Sequence, residues 1–406
     1  MNSVADLKPE FWAKESQRSL FVENKAMAVA NTQLRNILAG EGRKAHRTIM
    51  SYPASATYVP GTDITATALT GSKETLEVDT FLASLVTIDD TEEKQSIISL
   101  GEMATKRMMN DHNNRIEQAV LGQISNATWS LDDGNVGGTP GNNMVLNTDV
   151  IPQVFVAADT KLDAIDAPKA GRTAVVGSHF MRWLKLQQAN RNTVFGDGVN
   201  TRGVVANLFG WDIIESNNLP YYAVMTIATQ PTDGDTFTIA GVTFTFKATQ
   251  GSNPGAINIC SDAAHTLDNV VASLNALATT VAEATDAGYN AISDENVFLL
   301  RDKRRIRATE LTATTLKIEG YGDIVVSETF TSANNFFSSQ RQDALFCVRG
   351  CIDQVVQMPP KIEVGRAPKQ FADIIKSLLG YGVKTFADGA REMVQVKIDA
   401  STSDWA

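Results

Sequence analysis

Apolar and polar residues alternate with two rhythms along the 406 residues, and each rhythm predicts a different element. The helical rhythm is longest from Asp89 to about Ser125, in the run IDDTEEKQSIISLGEMATKRMMNDHNNRIEQAVLGQIS that begins at Ile88. Ile97, Ile98, Met103, Ala104, Met108, Ile116, Ala119, Val120 and Ile124 recur near helical spacing, while Lys94, Lys106, Asn110, Asn113 and Gln123 fill other positions. Asp90 followed by Glu93 fits an acidic N-cap and capping box, and Glu92 and Glu93 suit the positive end of the helix dipole. At 1.5 Å per residue the run predicts one helix roughly 50 Å long. So many polar positions suit a spine exposed on two sides better than a globular core.

The rhythm of two dominates just before it, from Arg43 to Ile88. Leu76, Val78, Thr80, Leu82, Ser84, Val86 and Ile88 alternate with Glu77, Asp79, Phe81, Ala83, Leu85 and Thr87, as in a strand. RTIMSYPASATYV is strand-like but broken by Pro53, which suits an edge. A Pro60-Gly61-Thr62-Asp63 turn and a Thr/Ala/Gly-rich stretch join the two, which predicts a long hairpin over 43–88. A two-stranded ribbon is marginal alone in water, so the hairpin has to lie on its own body or on a neighbour. Upstream, Asp6 to Ala39 reads as a helix whose Trp12, Phe21 and Met27 share no single face, and which therefore packs on its own domain or on another subunit.

After a Gly/Asn/Asp loop at Leu131–Asn143, an α/β pattern runs from Thr148 to Pro220. It predicts a helix ending near Pro168, a buried strand at 173–177, a helix capped by Ser178 and a strand over Trp211–Glu215. Residues 221–340 turn rich in Thr, Ala and Asp. A tight hairpin sets Phe237 and Ile239 against Val242, Phe244 and Phe246 around Ala240-Gly241, and Asp262 caps a helix. Strands are expected at Val297–Leu300, Lys303–Ala308, Leu316–Glu319 and Ile324–Val326, a ββαβββ order that reads as a self-contained insertion. The earlier pattern resumes at Arg341, with strands at Ala344–Val348 and Lys361–Val364, a short helix at Ile352–Val356 and a helix over Phe371–Leu379 ended by Gly380. Strands at Val383–Phe386 and Met393–Ile398 close the chain.

A net charge of −10 argues against nucleic-acid binding as the main task, although not against enclosing nucleic acid. Cys260, Cys347 and Cys351 form no disulfide framework. MNSVADLKPEFWAKES lacks the basic flank and apolar core of a secretory signal, and no apolar stretch approaches a membrane span. His46, His112, His179 and His265 have no metal-ligand spacing, and His112 beside Asp111 reads as a solvated helical surface. No nucleophile elbow, phosphate loop or metalloprotease motif occurs, and Asp132-Asp133-Gly134-Asn135 lacks the later glutamate of a calcium loop, so no catalytic, metal or cofactor site is expected. The sharpest charge run is RDKRRIR, whose Arg301, Lys303, Arg304, Arg305 and Arg307 on alternating strand faces suit a solvated or interface patch. It lacks the interleaved aromatics of a single-strand platform.

The order of these elements resembles the HK97 fold of tailed-bacteriophage major capsid proteins, especially the branch with an inserted domain. The resemblance is carried by FWAKESQRSLFVENKAMAVANTQLRNIL, TYVPGTD, IDDTEEKQSIISLGEMATKRMMNDHNNRIEQAVLGQI, TAVVGSHFMRWLK, WDIIESNNLP and IIKSLLGYGVKTFADGAREMVQVKI, nearly all the chain outside the insertion. It implies an α+β capsid fold with an N-terminal arm (1–42), an extended hairpin loop (43–88), and a spine helix with peripheral domain (89–147). An axial/peripheral unit split over 148–220 and 341–406, and the β-rich insertion (221–340), complete it. The function implied is that of a non-enzymatic shell subunit of the virion, assembled in the bacterial cytoplasm. It forms hexamers and pentamers around double-stranded DNA without sequence-specific binding, with scaffolding and portal proteins and possibly decoration or cargo proteins as partners. Inter-subunit contacts are expected at Trp12, Phe21, Met27, Tyr52, Tyr58, Pro60, Lys73 and Phe81. Some relatives cross-link a hairpin lysine to an asparagine; Lys44 and Lys73 are near this hairpin, and Lys73 sits among Thr, Gly, Ser and Glu with no visible partner. Two other readings stand beside the shell: an insertion that binds a host-surface glycan or a decoration protein, and an enzyme with a lid-like hairpin.

Overall fold

A computed structural model describes residues 29–34, 42–50, 55, 57–61, 63, 68–95, 100–189, 207–368 and 370–401. They divide between two compact units, the first built on 34–116 and 355–382 and the second on 24–33, 117–354 and 383–406.

In the first unit, β2 (Lys44–Met50) and β3 (Gly71–Glu77) form an antiparallel two-stranded ribbon, with Lys44 opposite Glu77 and Met50 opposite Gly71. Strand β4 (Thr80–Asp89) leaves the ribbon and pairs instead with β20 (Ala372–Lys384), which neighbours β19 (Ile352–Arg366). The strand expected from Leu76 to Ile88 is thus two strands in two sheets. The backbone closes tightly at that corner: a Cβ on Gly382 would lie 2.3 Å from the Glu77 carbonyl oxygen.

The helices expected at Ile352–Val356 and Phe371–Leu379 are instead β19 and β20. In β20, Ile375, Ser377, Leu379 and Tyr381 are buried while Lys376 and Leu378 are exposed, a period of two that the coincident pairs Ile374-Ile375 and Leu378-Leu379 disguise as helical spacing. Ile352 to Val355 are all buried, as in a strand covered on both faces, where periodicity gives no signal.

The spine begins with α1 (Asp90–Gln95) and continues as α2 (Leu100–Gly122), followed by one 3₁₀ turn at Gln123–Asn126. Residues 96–99 lie outside the described residues, and the 23 residues of α2 measure about 35 Å. Asp89, not Asp90, caps the start, accepting from the Thr91 amide at 2.8 Å and the Thr91 hydroxyl at 2.6 Å. Asp90 pairs with Arg366 instead. The sheet lays Ile88 and Ile375 on Met108, with Val86, Leu100, Ala104 and Ile362 around them.

The second unit is centred on a nine-stranded sheet in the order β15 (Arg307–Thr312), β16 (Thr315–Tyr321), β9 (Pro220–Ile227), β18 (Asn335–Val348), β6 (Arg172–Val176), β8 (Trp211–Glu215), β7 (Asn207–Leu208). Strand β21 (Met393–Asp399) joins β18 to β5 (Trp129–Leu131). Helices α3 (Val150–Asp163) and α4 (Ser178–Ala189) share a core with Trp211, Phe346, Val394 and Val396. Alternate sheet residues Val175, Leu345, Cys347 and Met393 pack with Val120, Leu121 and Ile124 from the end of the spine. Helix was expected through Ala39, but β1 (Ala30–Asn31) pairs in parallel with Ile352 and Asp353; residues 1–28 and 35–41 lie outside the described residues.

Residues 221–340 contribute a second sheet, β13 (Val281–Ala284), β14 (Ala287–Tyr289), β12 (Ala256–Asn258), β11 (Val242–Lys247), β10 (Thr236–Ile239) and β17 (Val326–Thr329). The expected hairpin is present: Phe237 pairs with Phe244, their rings stack at 5.0 Å, and Ala240 and Gly241 both take positive φ in the turn. Asp262 caps α5 (Ala263–Asn275) through the His265 amide. The strand expected at Val297–Leu300 is helical, Asp294–Val297 running into a wide turn at Phe298–Lys303; Ser293-Asp294-Glu295 is a helix-start signature that outweighs the apolar run. The segment has its own hydrophobic core, but β9, β16 and β15 extend the main sheet through β18, so it is not walled off from the rest of the unit.

Candidate inter-subunit surfaces

The first unit exposes apolar surface on both its ribbon and its sheet. Met50 is 65% exposed on the ribbon, and Tyr58, Val59 and Leu69 are exposed in the connection between its strands. Pro60 and Gly61 form the turn, Gly61 at φ +87°, and Lys73 is exposed opposite Thr48. Phe81 is half exposed, its ring against Gly380, where a Cβ would meet it at 3.0 Å. Trp12, Phe21, Met27 and Tyr52 lie outside the described residues. One feature escapes the sequence reading: Leu85 (65% exposed), Met358 and Leu378 line a groove of about 700 Å³ across β4, β20 and β19, rimmed by Lys361, Glu363 and Lys376. Phe81, Ala83 and Leu85 carried the signal, apolar on the strand face opposite Val86 and Ile88. Lys361 and then Lys376 hold the exposed Glu363 carboxyl down to about 2, so the rim keeps its mixed charge through ordinary pH.

The basic run does not form the alternating strand face expected of it. Arg301 bonds Asp302 at 3.0 Å, and the carbonyl of Lys303 accepts from Gln118. Arg304 is largely enclosed, its guanidinium filling the space that a side chain on Gly322 would take. Arg305 has φ +51° and stacks on the Tyr321 ring at 5.9 Å. Only Arg307 lies in a strand, exposed at the start of β15.

Several polar residues of the spine are internal. His112 is fully buried, not solvated; its Nε2 meets the Ser377 Oγ at 2.7 Å and its Nδ1 has no partner among the described residues. Burial pushes its pKa down, against a smaller upward pull from Asp111. Glu117 is buried against Ser216 and Asn218, and Gln118 bonds Asn218 as well as Lys303. Of the outward-read positions, Lys94, Lys106 and Asn113 are exposed, and Lys106 pairs with Glu102 at 2.6 Å. The three cysteines are buried. The Asp132–Asn135 loop is closed on itself, Asp132 accepting from the Gly141 amide and Asp133 from the Thr139 amide, each at 2.9 Å. Among the described residues no group of three His, Cys, Asp or Glu side chains is placed to hold a metal ion. Nor is any helix among them long and apolar enough to cross a membrane.

No protein-family model matches the chain, and no curated protein matches it in sequence. Solved structures do. The chain is similar to a structure from Mycobacterium phage Che8 with a TM-score of 0.56 at 15% identity, over 96% of each chain. It is similar to the capsid structure of cyanophage P-SCSP1u with a TM-score of 0.55 at 14% identity, over 97% of this chain and 94% of that one. The capsid of Myoviridae phage XM1 gives a TM-score of 0.50 at 10% identity, over 98% of this chain and 99% of that one. The mixed α+β architecture is therefore that of phage capsid proteins, an HK97-like fold, and the likeness runs through nearly the whole chain.

Proposed function

We propose that this chain is a structural major capsid protein that assembles into the icosahedral head of a tailed phage around double-stranded DNA. The observation that carries the reading is the two-stranded ribbon, exposed together with an apolar groove, in a chain whose fold matches phage capsid structures end to end. A ribbon of two strands is not stable alone, and exposed apolar surface of this kind marks a contact with another molecule. In a shell, the ribbon of one subunit overlaps the first unit of its neighbour, and many modest contacts add up across hexamers and pentamers. The segment 221–340 acts as an insertion that stabilises the subunit or bridges neighbours; no observation among its described residues favours glycan binding. Scaffolding and portal proteins are the partners such a shell needs. Expression of the chain, with and without a scaffold, followed by negative-stain microscopy tests the reading. Closed, uniform particles are expected; a sample that stays monomeric under both conditions contradicts it.

A further inference from the structure

One face of the main sheet in the second unit gathers cations that lie far apart in sequence. Lys317, Glu319 and Tyr321 alternate with the buried Leu316, Ile318 and Gly320 along β16. Register places Arg307 beside Glu319, Glu319 beside Tyr222, and Tyr222 beside Arg341. The Lys317 ammonium sits 4.5 Å from the Tyr222 ring centre and the Arg341 guanidinium 4.7 Å from it. Arg305 stacks on Tyr321, and Lys397 lies opposite Asp343 on the adjoining β21. The aromatics missing from the RDKRRIR run are thus supplied by β9 and β16.

Five cations on this face meet three carboxylates in a chain whose net charge is −10: Lys317 is paired with Glu319 and Arg341 with Asp343, which leaves Arg305, Arg307 and Lys397 against Asp399. Asp343 is fully buried against Arg341 and Gln395, and burial raises its pKa against the downward pull of Arg341. Burial also pushes the Tyr222 phenol up to about 12, so the ring stays neutral. Both rings are already stacked by cations, so they are poor platforms for bases. What they do is hold charged side chains in place: the Arg341 edge is taken up by Asp343, whereas a stacked guanidinium such as that of Arg305 keeps its N–H edge for an anion. Arg305 takes a left-handed backbone at φ +51°, a conformation that costs a β-carbon residue free energy.

We propose that this sheet face binds the phosphate backbone of duplex DNA, through Arg305, Arg307 and Lys397. The proposal rests on the shell reading for its ligand, and it assigns this face to the inside of the particle. The contacts are to phosphate, so they carry no sequence preference.

The test is fluorescence anisotropy of the full-length, dissociated subunit with a labelled duplex of random sequence, titrated between about 50 and 200 mM salt. Wild-type binding weakens steeply with salt. The triple variant Arg305→Gly, Arg307→Gln, Lys397→Gln spares the buried Arg341–Asp343 pair and relieves the backbone at 305. It is expected to lower the slope of log affinity against log salt by about 2 to 3, since each lost phosphate contact removes about 0.9. Glu319→Gln moves the other way, tightening binding, a gain that misfolding does not produce. A wild type that shows no salt-dependent binding, or a triple variant that keeps the wild-type slope, overturns the proposal. Microscopy of the same variants separates it from the shell reading. Particles are expected from the triple variant; lost particles with an unchanged slope assign the face to subunit contact and also overturn it. If the wild type forms no particles, the shell reading falls, while the titration still decides the phosphate site.

Discussion

The two units of this chain place their apolar residues in opposite ways. The second unit encloses two extensive cores, one around Phe155, Phe180, Trp211 and Phe346, the other around Phe237, Phe244, Phe246 and Leu267. The first unit is about half as long, yet it exposes ten large apolar side chains against eight in the second, among the described residues. Scattered exposed leucines need no explanation, but Leu85, Met358 and Leu378 lie together in one groove. The second unit encloses its own cores, whereas the first leaves grouped apolar surface that neighbours would cover in the proposed shell. That division fits the proposed shell, in which neighbouring subunits would bury the apolar surface of the first unit.

Core substitutions break the comparison most strongly. Phe237→Ala removes a fully buried ring, and is expected to destabilise the second unit by about 3–5 kcal/mol in chemical denaturation. A smaller effect is expected from Gly382→Ala in the first unit, about 1–3 kcal/mol, because the new Cβ is forced onto the Glu77 carbonyl. Gly365→Ala is its control: a Cβ there meets nothing within 4 Å, so a loss as large as that of Gly382→Ala would show that the corner at Glu77 is not what matters.

How much of this was legible in the sequence depends on how each residue is buried. The hairpin at Ala240-Gly241, the cap at Asp262 and the alternation around Val86 and Ile88 rest on local rules, and the structure follows them. Long-range burial hid the rest. Nothing near Ile352 or Ile375 in the chain reveals that β19 and β20 lie beside one another next to β4, so short apolar runs passed for helices. The same holds for His112, whose partner Ser377 is 265 residues away. The aromatic partners of Arg305, Lys317 and Arg341 come from strand register, which a single sequence does not display.

Acid sharpens the comparison further. His112 has its pKa lowered in the folded first unit, so its contribution is present above the unfolded value of about 6.5 and is lost as pH falls through the folded value. His112→Gln is therefore expected to flatten the decline in thermal midpoint below about pH 6.5. An unchanged decline would move the acid response to other groups.

The smallest effect on the isolated subunit is expected from the groove. Leu85→Ser alters a side chain already 65% exposed, and should change subunit stability by less than about 0.5 kcal/mol while reducing particle yield. A large stability loss would mean that the groove is an internal surface.

The central claim, that the first unit is completed by its neighbours, is tested most directly by amide hydrogen exchange on dissociated subunits and on assembled particles. The account predicts that 44–50, 71–77 and 80–89 gain strong protection on assembly, while 236–247 and 344–348 are equally protected in both states. Equal protection of the ribbon and the groove strand before and after assembly would contradict it.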